Sequence, residues 1–429
     1  MRRLIYFLLV LSLIGGSAFA RGKNDTSSSG TTTVKIMSVW QTENPESGLE
    51  MAIAKKFEVQ NSDIKLEFIG IPMNDLWAKM TAQATASDLP DVFFMNSGYT
   101  ARAVELEIVE DIKNLWTPQE LAEYSKIALD DCMVGDVLTY LPFYATPQAM
   151  IYRYDWLQEK GLKPPVTWKD FRDVGKAFTE DLNGDGRPDR YGFAMLAMRN
   201  GSAASRFLQI VRTFGVNELY QKPDGSWTTD IGSPKFKEAL KLFTDLANVD
   251  KIVPPGVIET GYPEASQQIA SGLAGMMITG SNAIGTIYAQ APELRGKLGS
   301  CLIPRDTNHY SQLGLNGYAI YAKSRNKQAA ARWIKFMYQD DNMLGFITVS
   351  GRTPTKPALT NAAEFKTPAF EGYLEAEKWA QPLPLHPGYS ELSDVMGEAY
   401  QNTIANGISI DEASARAQQR VLAIIKKYE

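Results

Sequence analysis

The sequence TVKIMSVW at residues 33–40, read together with IKLEFIGI at 64–71 and DVFFM at 91–95, decides the fold class. Each run is rich in β-branched and aromatic residues, as strands are. The segment after the first run carries Ile53 and Phe57 at helical spacing, which predicts an amphipathic helix. Strands separated by helices predict right-handed βαβ crossovers and a parallel sheet. We therefore predict an open α/β lobe over this part of the chain.

A second set of elements follows. Residues 138–154 form a long β-rich run that Pro142 and Pro147 interrupt. Residues 274–279 and 315–322 predict two further buried strands. A chain of 429 residues is long enough for two or three domains at about 150 residues each. The pattern predicts more than one α/β lobe.

The N-terminus has the three parts of a secretory signal peptide. Arg2 and Arg3 precede an apolar run at residues 4–14, and small residues lead to Ala-Phe-Ala at 18–20. Such an apolar run is too short for a membrane span, which needs about 20 residues. The pattern predicts a signal peptide over residues 1–20 that is cleaved after Ala20.

The polar residues 21–33 are rich in Ser, Thr and Gly, a composition typical of a flexible leader. The cysteines are Cys132 and Cys301, so none lies near the predicted cleavage site. We expect an exported, periplasmic protein without a lipid anchor. Two cysteines exclude a disulfide framework, and either two free thiols or one bridge fits the sequence.

Composition excludes several functions. The formal net charge is −5 and no basic run occurs, so nucleic acid is not an expected partner. Two histidines are too few for a histidine-rich metal centre. No G-x-S-x-G, H-E-x-x-H or Walker motif is present. A glycosidase needs only two carboxylates, so a secreted carbohydrate-active enzyme remains an alternative.

The sequence DLNGDGRPDRYG at residues 181–192 matches the start of a calcium-binding EF-hand loop. Such loops supply oxygen ligands at alternate positions and a turn glycine at the sixth. Gly192 stands where the loop's bidentate glutamate is expected. The alternative is a turn rich in Asp, Asn and Gly. A bound Ca²⁺ would be structural, with ligands from Asp181, Asn183, Asp185, Arg187 through its backbone carbonyl, and Asp189.

Aromatic and amide side chains follow two predicted strands. Trp40, Gln41 and Glu43 end the first, and Asn96 and Ser97 end the third. In an open parallel sheet, ligands bind outside the carboxyl ends of the strands. An indole beside amide and carboxylate groups suits a sugar ring. We therefore predict that these residues bind a ligand, with core packing as the alternative for Trp40.

Six segments resemble one family, the family 1 extracellular solute-binding proteins, which are the maltose-binding-like receptors of sugar ABC importers. The resemblance covers nearly all of the chain after residue 33. The segments are LPFYATPQAMIYRY at 141–154, GLKPPVTW at 161–168, SGLAGMMITG at 271–280, GLNGYAI at 314–320, GRTPT at 351–355 and HPGY at 386–389.

The resemblance implies an α/β periplasmic binding protein fold, in which two lobes are joined by crossing hinge strands and the ligand lies in the cleft between them. The implied N-lobe comprises residues 34–143 and 303–338. The implied C-lobe comprises residues 147–298 and 341–429.

The resemblance also implies particular site residues. Tyr144 would face the cleft at the hinge, and Asn316 and Gly317 would line it from the N-lobe. Asn282 stands where many members carry a tryptophan, so an amide replaces one stacking platform. Arg352 would bind a carboxylate or a pair of hydroxyls.

We therefore expect a receptor without catalytic activity that captures a mono- or oligosaccharide for a membrane ABC permease and acts as a monomer. The first alternative is the same fold binding another solute, such as a polyol phosphate or a peptide. The second is the carbohydrate-active enzyme.

Overall fold

The structure is a computed structural model that describes residues 31–429. The predicted signal peptide, residues 1–20, and residues 21–30 of the predicted leader lie outside the described residues. The strands, in chain order, are β1 (Thr32–Ser38), β2 (Ile64–Gly70), β3 (Val92–Asn96), β4 (Met133–Val134), β5 (Val137–Leu138), β6 (Leu141–Ala145), β7 (Gln148–Arg153), β8 (Tyr191–Phe193), β9 (Tyr220–Gln221), β10 (Trp227–Thr228), β11 (Ala274–Gly280), β12 (Leu298–Cys301), β13 (Ser311–Gln312), β14 (Leu315–Ile320), β15 (Thr353–Pro354) and β16 (Ala380–Gln381).

The helices vary from one short turn to several turns. In chain order they are α1 (Glu46–Gln60), α2 (Met73–Thr85), α3 (Thr100–Glu105), α4 (Pro118–Leu121), α5 (Lys126–Asp131), α6 (Tyr154–Glu159), α7 (Trp168–Phe178), α8 (Gly201–Thr213), α9 (Pro234–Asn248), α10 (Tyr262–Ala270), α11 (Asn282–Gln290), α12 (Lys327–Met337), α13 (Asp340–Ser350), α14 (Pro368–Ala376), α15 (Leu392–Ala405) and α16 (Ile410–Lys427).

The first lobe is built on a six-stranded sheet with the order β15-β6-β14-β3-β1-β2. Strand β1 pairs in parallel with β2 and β3, as the alternation of strands and helices predicts. Strand β14 then pairs antiparallel with β3 and with β6, so the sheet is mixed. Helices α1 and α12 pack against its strands.

The second lobe is built on a four-stranded sheet with the order β12-β7-β11-β8. Strand β11 pairs in parallel with β8, while β7 pairs antiparallel with β11 and β12. Helices α7 and α14 pack against this sheet, and α8, α9, α15 and α16 pack on one another. The two sheets confirm the two-lobed α/β fold.

Three segments of the chain connect the lobes: β6 to β7, β12 to β14, and β15 to α14. The first two of these crossing segments lie side by side. The predicted β-rich run at 138–154 is divided into β6 in the first sheet and β7 in the second, with Thr146 and Pro147 between them. The return crossing runs from β12 to β14. Thr146 binds it twice, since its backbone N–H and its hydroxyl donate to the carbonyl of Gly314 at 3.0 and 2.9 Å.

One predicted lobe boundary differs from the strand pairing. Residues 341–429 are predicted for the C-lobe, yet β15 lies in the first sheet, where Thr353 pairs with Ala145. Helix α13, which precedes β15, packs against both α1 and α11. The chain therefore stays in the first lobe through β15, longer than predicted, before α14 joins the second sheet.

None of the helices in residues 31–429 combines the length and apolarity that a membrane span requires. Cys132 is buried and Cys301 is half-buried, and both are free thiols. Of the two arrangements that the sequence left open, the structure therefore has two free cysteines.

Candidate functional site

Arg352 lies at the hinge, just after the glycine that ends α13. The residue is 5% exposed. Its guanidinium forms an ion pair with Glu46, lies 3.5 Å from Oε2 of Glu43 and stands 4.6 Å from the centre of the Tyr144 ring. Burial raises the pKa of Glu43, and the charge of Arg352 acts in the opposite direction. The structure thus brings together three predicted site residues and adds Glu46.

The C-lobe meets this group at the start of α11. Gly351 has φ +74°, and a Cβ there would lie 2.4 Å from the backbone nitrogen of Gly285. Next to this contact, the side-chain amide of Asn282 donates to the Tyr262 hydroxyl at 2.9 Å. Arg206 of α8 stands 5.2 Å from the centre of the Tyr262 ring.

The charges of Arg206 and Arg352 both influence the pKa of Tyr262. Burial raises the pKa of this tyrosine, while Arg206 and Arg352 both act to lower it. The charges of a C-lobe arginine and of the hinge arginine thus both act on the Tyr262 hydroxyl. We call the residues that meet here the interlobe cluster; they are Glu43, Glu46, Tyr144, Arg206, Tyr262, Asn282 and Arg352.

Buried polar atoms without a hydrogen-bond partner collect around the interlobe cluster. They include Nε of Arg206, Nε of Arg352, Oε1 of Gln148 and the Tyr373 hydroxyl. Buried polar groups in folded proteins nearly always have partners. Glu377 adds another such oxygen near Thr353, and burial raises the pKa of this carboxyl to about 7. These unsatisfied groups mark the lobe junction as a place suited to a polar ligand.

Trp40 lies beneath the interlobe cluster rather than in it. The residue is 0% exposed, and its indole N–H donates to the Tyr144 hydroxyl at 3.0 Å. Five aromatic rings surround it at centroid distances of 4.9 to 5.8 Å: Phe94, Phe143, Tyr144, Tyr318 and Phe346. The Trp40 ring is therefore part of the core in this structure, which is the alternative that the sequence left open, and its role in ligand binding stays a prediction.

Gln41 is also engaged inside the first lobe. Its amide donates to Glu50 at 2.6 Å, and this buried carboxylate also accepts from Ser38 at 2.8 Å and from the Tyr318 hydroxyl. Burial raises the pKa of Glu50 to about 7. Gln41 therefore holds a buried carboxylate in this structure.

The predicted site residues at the end of β3 and in β14 lie close together, but their side chains bond to backbone groups of the first lobe. Asn96 pairs with Asn316 across the sheet, and its side chain accepts from the backbone N–H of Gly98. The amide of Asn316 donates to a backbone carbonyl at 2.9 Å. Ser97 is 6% exposed. Of these, Asn96 is the most accessible to a ligand, being half-buried.

Gly317 faces the interior of the first lobe. A Cβ at this position would lie 2.2 Å from the carbonyl oxygen of Leu141 and 2.7 Å from the Tyr338 hydroxyl. The strand register shifts between Asn316 and Gly317. A close backbone approach between neighbouring strands requires the glycine, and its place in the cleft lining stays a prediction.

The predicted calcium loop is an exposed turn held by its own backbone. Asp181 accepts from the N–H groups of Gly184 and Gly186 at 2.6 and 2.7 Å. Asp189 accepts from Leu182 and from both nitrogens of Asn183 at 2.6 to 3.1 Å.

The side chains of Asn183 and Asp185 in the same loop also accept hydrogen bonds from backbone N–H groups. Asn183 Oδ1 accepts from the N–H of Asp185, and Asp185 Oδ1 from the N–H of Arg187. Within residues 31–429, no group of three or more His, Cys, Asp or Glu side chains is arranged to hold a metal ion. The geometry is that of the Asp/Asn/Gly turn, so calcium binding stays a prediction without structural support.

Five residues at or near the interlobe cluster were not predicted as site residues from the sequence: Glu46, Arg206, Tyr262, Tyr373 and Glu377. Glu46 and Tyr262 each begin a helix close to a proline, a signal that marks a helix start but not a ligand site. Arg206 and Tyr373 lie within α8 and α14, where helical periodicity gives no sign of function.

The sequence model of a family described as bacterial extracellular solute-binding protein matches residues 52–372. This range is most of the chain, so the protein belongs to that family. It is a binding protein rather than an enzyme, and the alternative of a carbohydrate-active enzyme finds no support.

Relatives of known name agree with this assignment. A binding protein of Brucella abortus (strain 2308) is 25% identical over 384 residues, which cover 87% of this chain and 89% of the relative. The mannitol-binding protein of Pseudomonas aeruginosa is 22% identical over 403 residues, with the same two coverages of 87% and 89%.

A solved structure shows the same fold. It is an ABC transporter solute-binding protein from Thermotoga lettingae TMO with bound alpha-D-tagatose, and it superimposes with a TM-score of 0.79 at 21% identity. The match covers 92% of this chain and 100% of that one.

Proposed function

We propose that this protein captures a carbohydrate or polyol in the cleft between its lobes and delivers it to a membrane ABC permease. The observation that carries the proposal is the interlobe cluster, which joins residues of both lobes at the hinge. It offers guanidinium, carboxylate and amide groups around the rings of Tyr144 and Tyr262. Hydroxyl-rich ligands need such groups as hydrogen-bond partners.

The ligands of similar proteins support this proposal. The Pseudomonas relative binds mannitol by name, and the Thermotoga protein holds tagatose. Both are small molecules with many hydroxyl groups. We expect the ligand of this protein to be of similar size.

The hinge gives the proposed receptor its mechanism. Two lobes on crossing segments close around a ligand that contacts both walls. A ligand shifts the balance towards the closed form only through its higher affinity for that form. A solute that bridges Arg352 and Asn282 would supply this difference, because the two residues stand on opposite sides of the junction.

Export to the periplasm and action as a monomer complete the proposal. The permease would recognise the closed, liganded form. The proposed export is supported by the sequence pattern of residues 1–20 and by the extracellular description of the family.

A thermal-shift screen tests the proposed function. The panel comprises neutral sugars, polyols and sugar acids, with amino acids and short peptides as controls. A sugar or polyol at 100 times its dissociation constant should add about 2.7 kcal/mol to the stability of the folded protein and raise Tm. A rise with the peptides or amino acids alone would contradict the proposal.

A further inference from the structure

Arg206 differs from every other arginine in residues 31–429. The others either form an ion pair with a carboxylate or are exposed; the exposed, unpaired ones are Arg187, Arg295, Arg305 and Arg325. Arg206 is half-buried and has no carboxylate partner within the described residues. Withdrawing a guanidinium from water without a counter-charge costs free energy.

The unpaired edge of Arg206 is the one that other arginines of this protein use for carboxylates. Arg153, Arg199 and Arg212 each bind an acidic residue through Nε and Nη2. In Arg206, Nη1 is held by the carbonyl and hydroxyl oxygens of Ser202 at 2.9 and 3.0 Å.

The same edge of Arg206 is nearly unused. Nη2 makes one bond, to the Thr279 hydroxyl at 3.2 Å, and Nε has no acceptor. The contacts of Nη1 fix the plane of the guanidinium and leave the Nε/Nη2 edge for another group.

The surroundings of Arg206 are polar but uncharged. Tyr262 lies against the guanidinium. The Tyr373 hydroxyl is buried without a hydrogen-bond partner, and while burial raises its pKa, the charge of Arg206 acts to lower it. Arg352, in contrast, is offset by Glu43 and Glu46. Both carboxylates of the interlobe cluster therefore contact Arg352, and Arg206 is its arginine without a carboxylate contact.

We propose that Arg206 binds the carboxylate of the solute, and that the ligand is a sugar acid such as a uronate or an aldonate. This inference rests on the proposed function. A planar carboxylate matches the two parallel N–H donors of one guanidinium edge. A phosphate dianion would call for more positive charge than one unpaired arginine supplies. The hydroxyls of the same ligand would reach Asn282 and Tyr373.

Calorimetric titration of matched pairs tests the inference. The pairs are D-galacturonate with D-galactose, D-glucuronate with D-glucose, and D-gluconate with D-glucitol. Within each pair a carboxylate replaces a CH₂OH group or its equivalent. The proteins are the wild type, Arg206→Gln, Arg206→Lys, and Arg305→Gln as a control at an exposed, unpaired arginine.

The inference predicts at least tenfold tighter binding of the acid in one or more pairs by the wild type and by Arg305→Gln. Arg206→Gln should abolish that preference, and Arg206→Lys should keep part of it, since lysine retains the charge without the planar edge. Melting curves of both Arg206 variants should match the wild type, because no ion pair is lost.

Three results would overturn the inference. Binding of the neutral member as tightly as the acid, or an acid preference that survives in Arg206→Gln, would contradict it and leave the proposed function standing. Failure of every sugar, polyol and sugar acid to bind the wild type would contradict the proposed function as well.

Discussion

Tyr144 contacts both the buried Trp40 of the core and the charged Arg352 of the interlobe cluster. Its hydroxyl accepts a hydrogen bond from the buried Trp40, and its ring lies against the guanidinium of Arg352. The sequence places both Trp40 and Tyr144 near the ends of strands. It does not reveal that β1 ends at Ser38 and that a 3₁₀ turn then directs the indole inward.

Trp40→Ala tests this placement. A binding role predicts weaker ligand affinity with an unchanged Tm. Burial among five aromatic rings predicts instead a loss of about 3–5 kcal/mol in the free energy of unfolding, measured by chemical denaturation. Trp40→Phe keeps most of the volume and removes the bond to Tyr144, so it should lose clearly less. A Trp40→Ala protein as stable as the wild type would contradict the core assignment.

Glu50 predicts a pH dependence of stability. Burial raises the pKa of its carboxyl from 4.5 to about 7 in the folded protein. The folded protein therefore binds more protons than the unfolded chain between these values, so stability falls as the pH rises through this window. The full effect is about 3 kcal/mol, at 1.36 kcal/mol per pKa unit.

Glu50→Gln provides the control, because an amide stays neutral at every pH. The Tm of the wild type should fall relative to that of Glu50→Gln between about pH 5 and pH 8. Parallel pH profiles for the two proteins would show that Glu50 titrates alike in the folded and unfolded states.

Among the elements, the two crossing segments depend on one glycine. Gly314 has φ +60°, and a Cβ there would lie 2.6 Å from the Thr146 hydroxyl oxygen and 2.9 Å from its carbonyl oxygen. Gly314→Ala should therefore lower the free energy of unfolding by more than about 1 kcal/mol and weaken ligand binding by disturbing the hinge.

Gly135→Ala is the matched control for this prediction. Gly135 has φ +58°, and nothing lies within 4 Å of its added Cβ. Both variants strain a backbone with positive φ, but only Gly314→Ala adds a contact with Thr146. The difference in Tm between the two variants therefore measures the effect of that contact. Equal losses would contradict a packed crossing.

The loop at 181–192 is the element where the sequence motif and the geometry disagree. If it binds Ca²⁺, EDTA lowers Tm, added calcium restores it, and Asp185→Ala abolishes the difference. The backbone bonds that the carboxylates already accept favour a turn that is stable without an ion. An identical melting curve with and without chelator would refute the calcium prediction.

Local signals predicted several elements because neighbouring residues set them. Thr167 caps the start of α7 and Ser409 caps the start of α16. The hydroxyl of each accepts a hydrogen bond from the backbone N–H three residues later. Ser47 and Glu50 have the spacing of a capping box, but α1 begins at Glu46 after Pro45 without a side-chain cap. The parallel pairing of β1, β2 and β3 follows from helical crossovers, whereas the antiparallel pairing of β14 depends on contacts far apart in sequence.

At the scale of the whole molecule, the resemblance predicted two lobes and a hinge at Tyr144. It did not predict that β15 returns to the first sheet. The candidate site divides in the same way: Glu43, Asn282 and Arg352 lie beside strand and helix ends, which sequence patterns mark. Arg206 and Tyr373 come from the middle of helices, and only the packing of the C-lobe brings them to the junction.

A solute that bridges both lobes should draw them together, and small-angle X-ray scattering measures this closure. The sample is the wild-type protein, measured without ligand and with the tightest-binding compound of the thermal-shift panel at saturation. Because closure makes the protein more compact, we expect a smaller radius of gyration with ligand. We expect no change with a compound that calorimetry shows not to bind. An unchanged radius of gyration at proven saturation would contradict closure around an interlobe ligand.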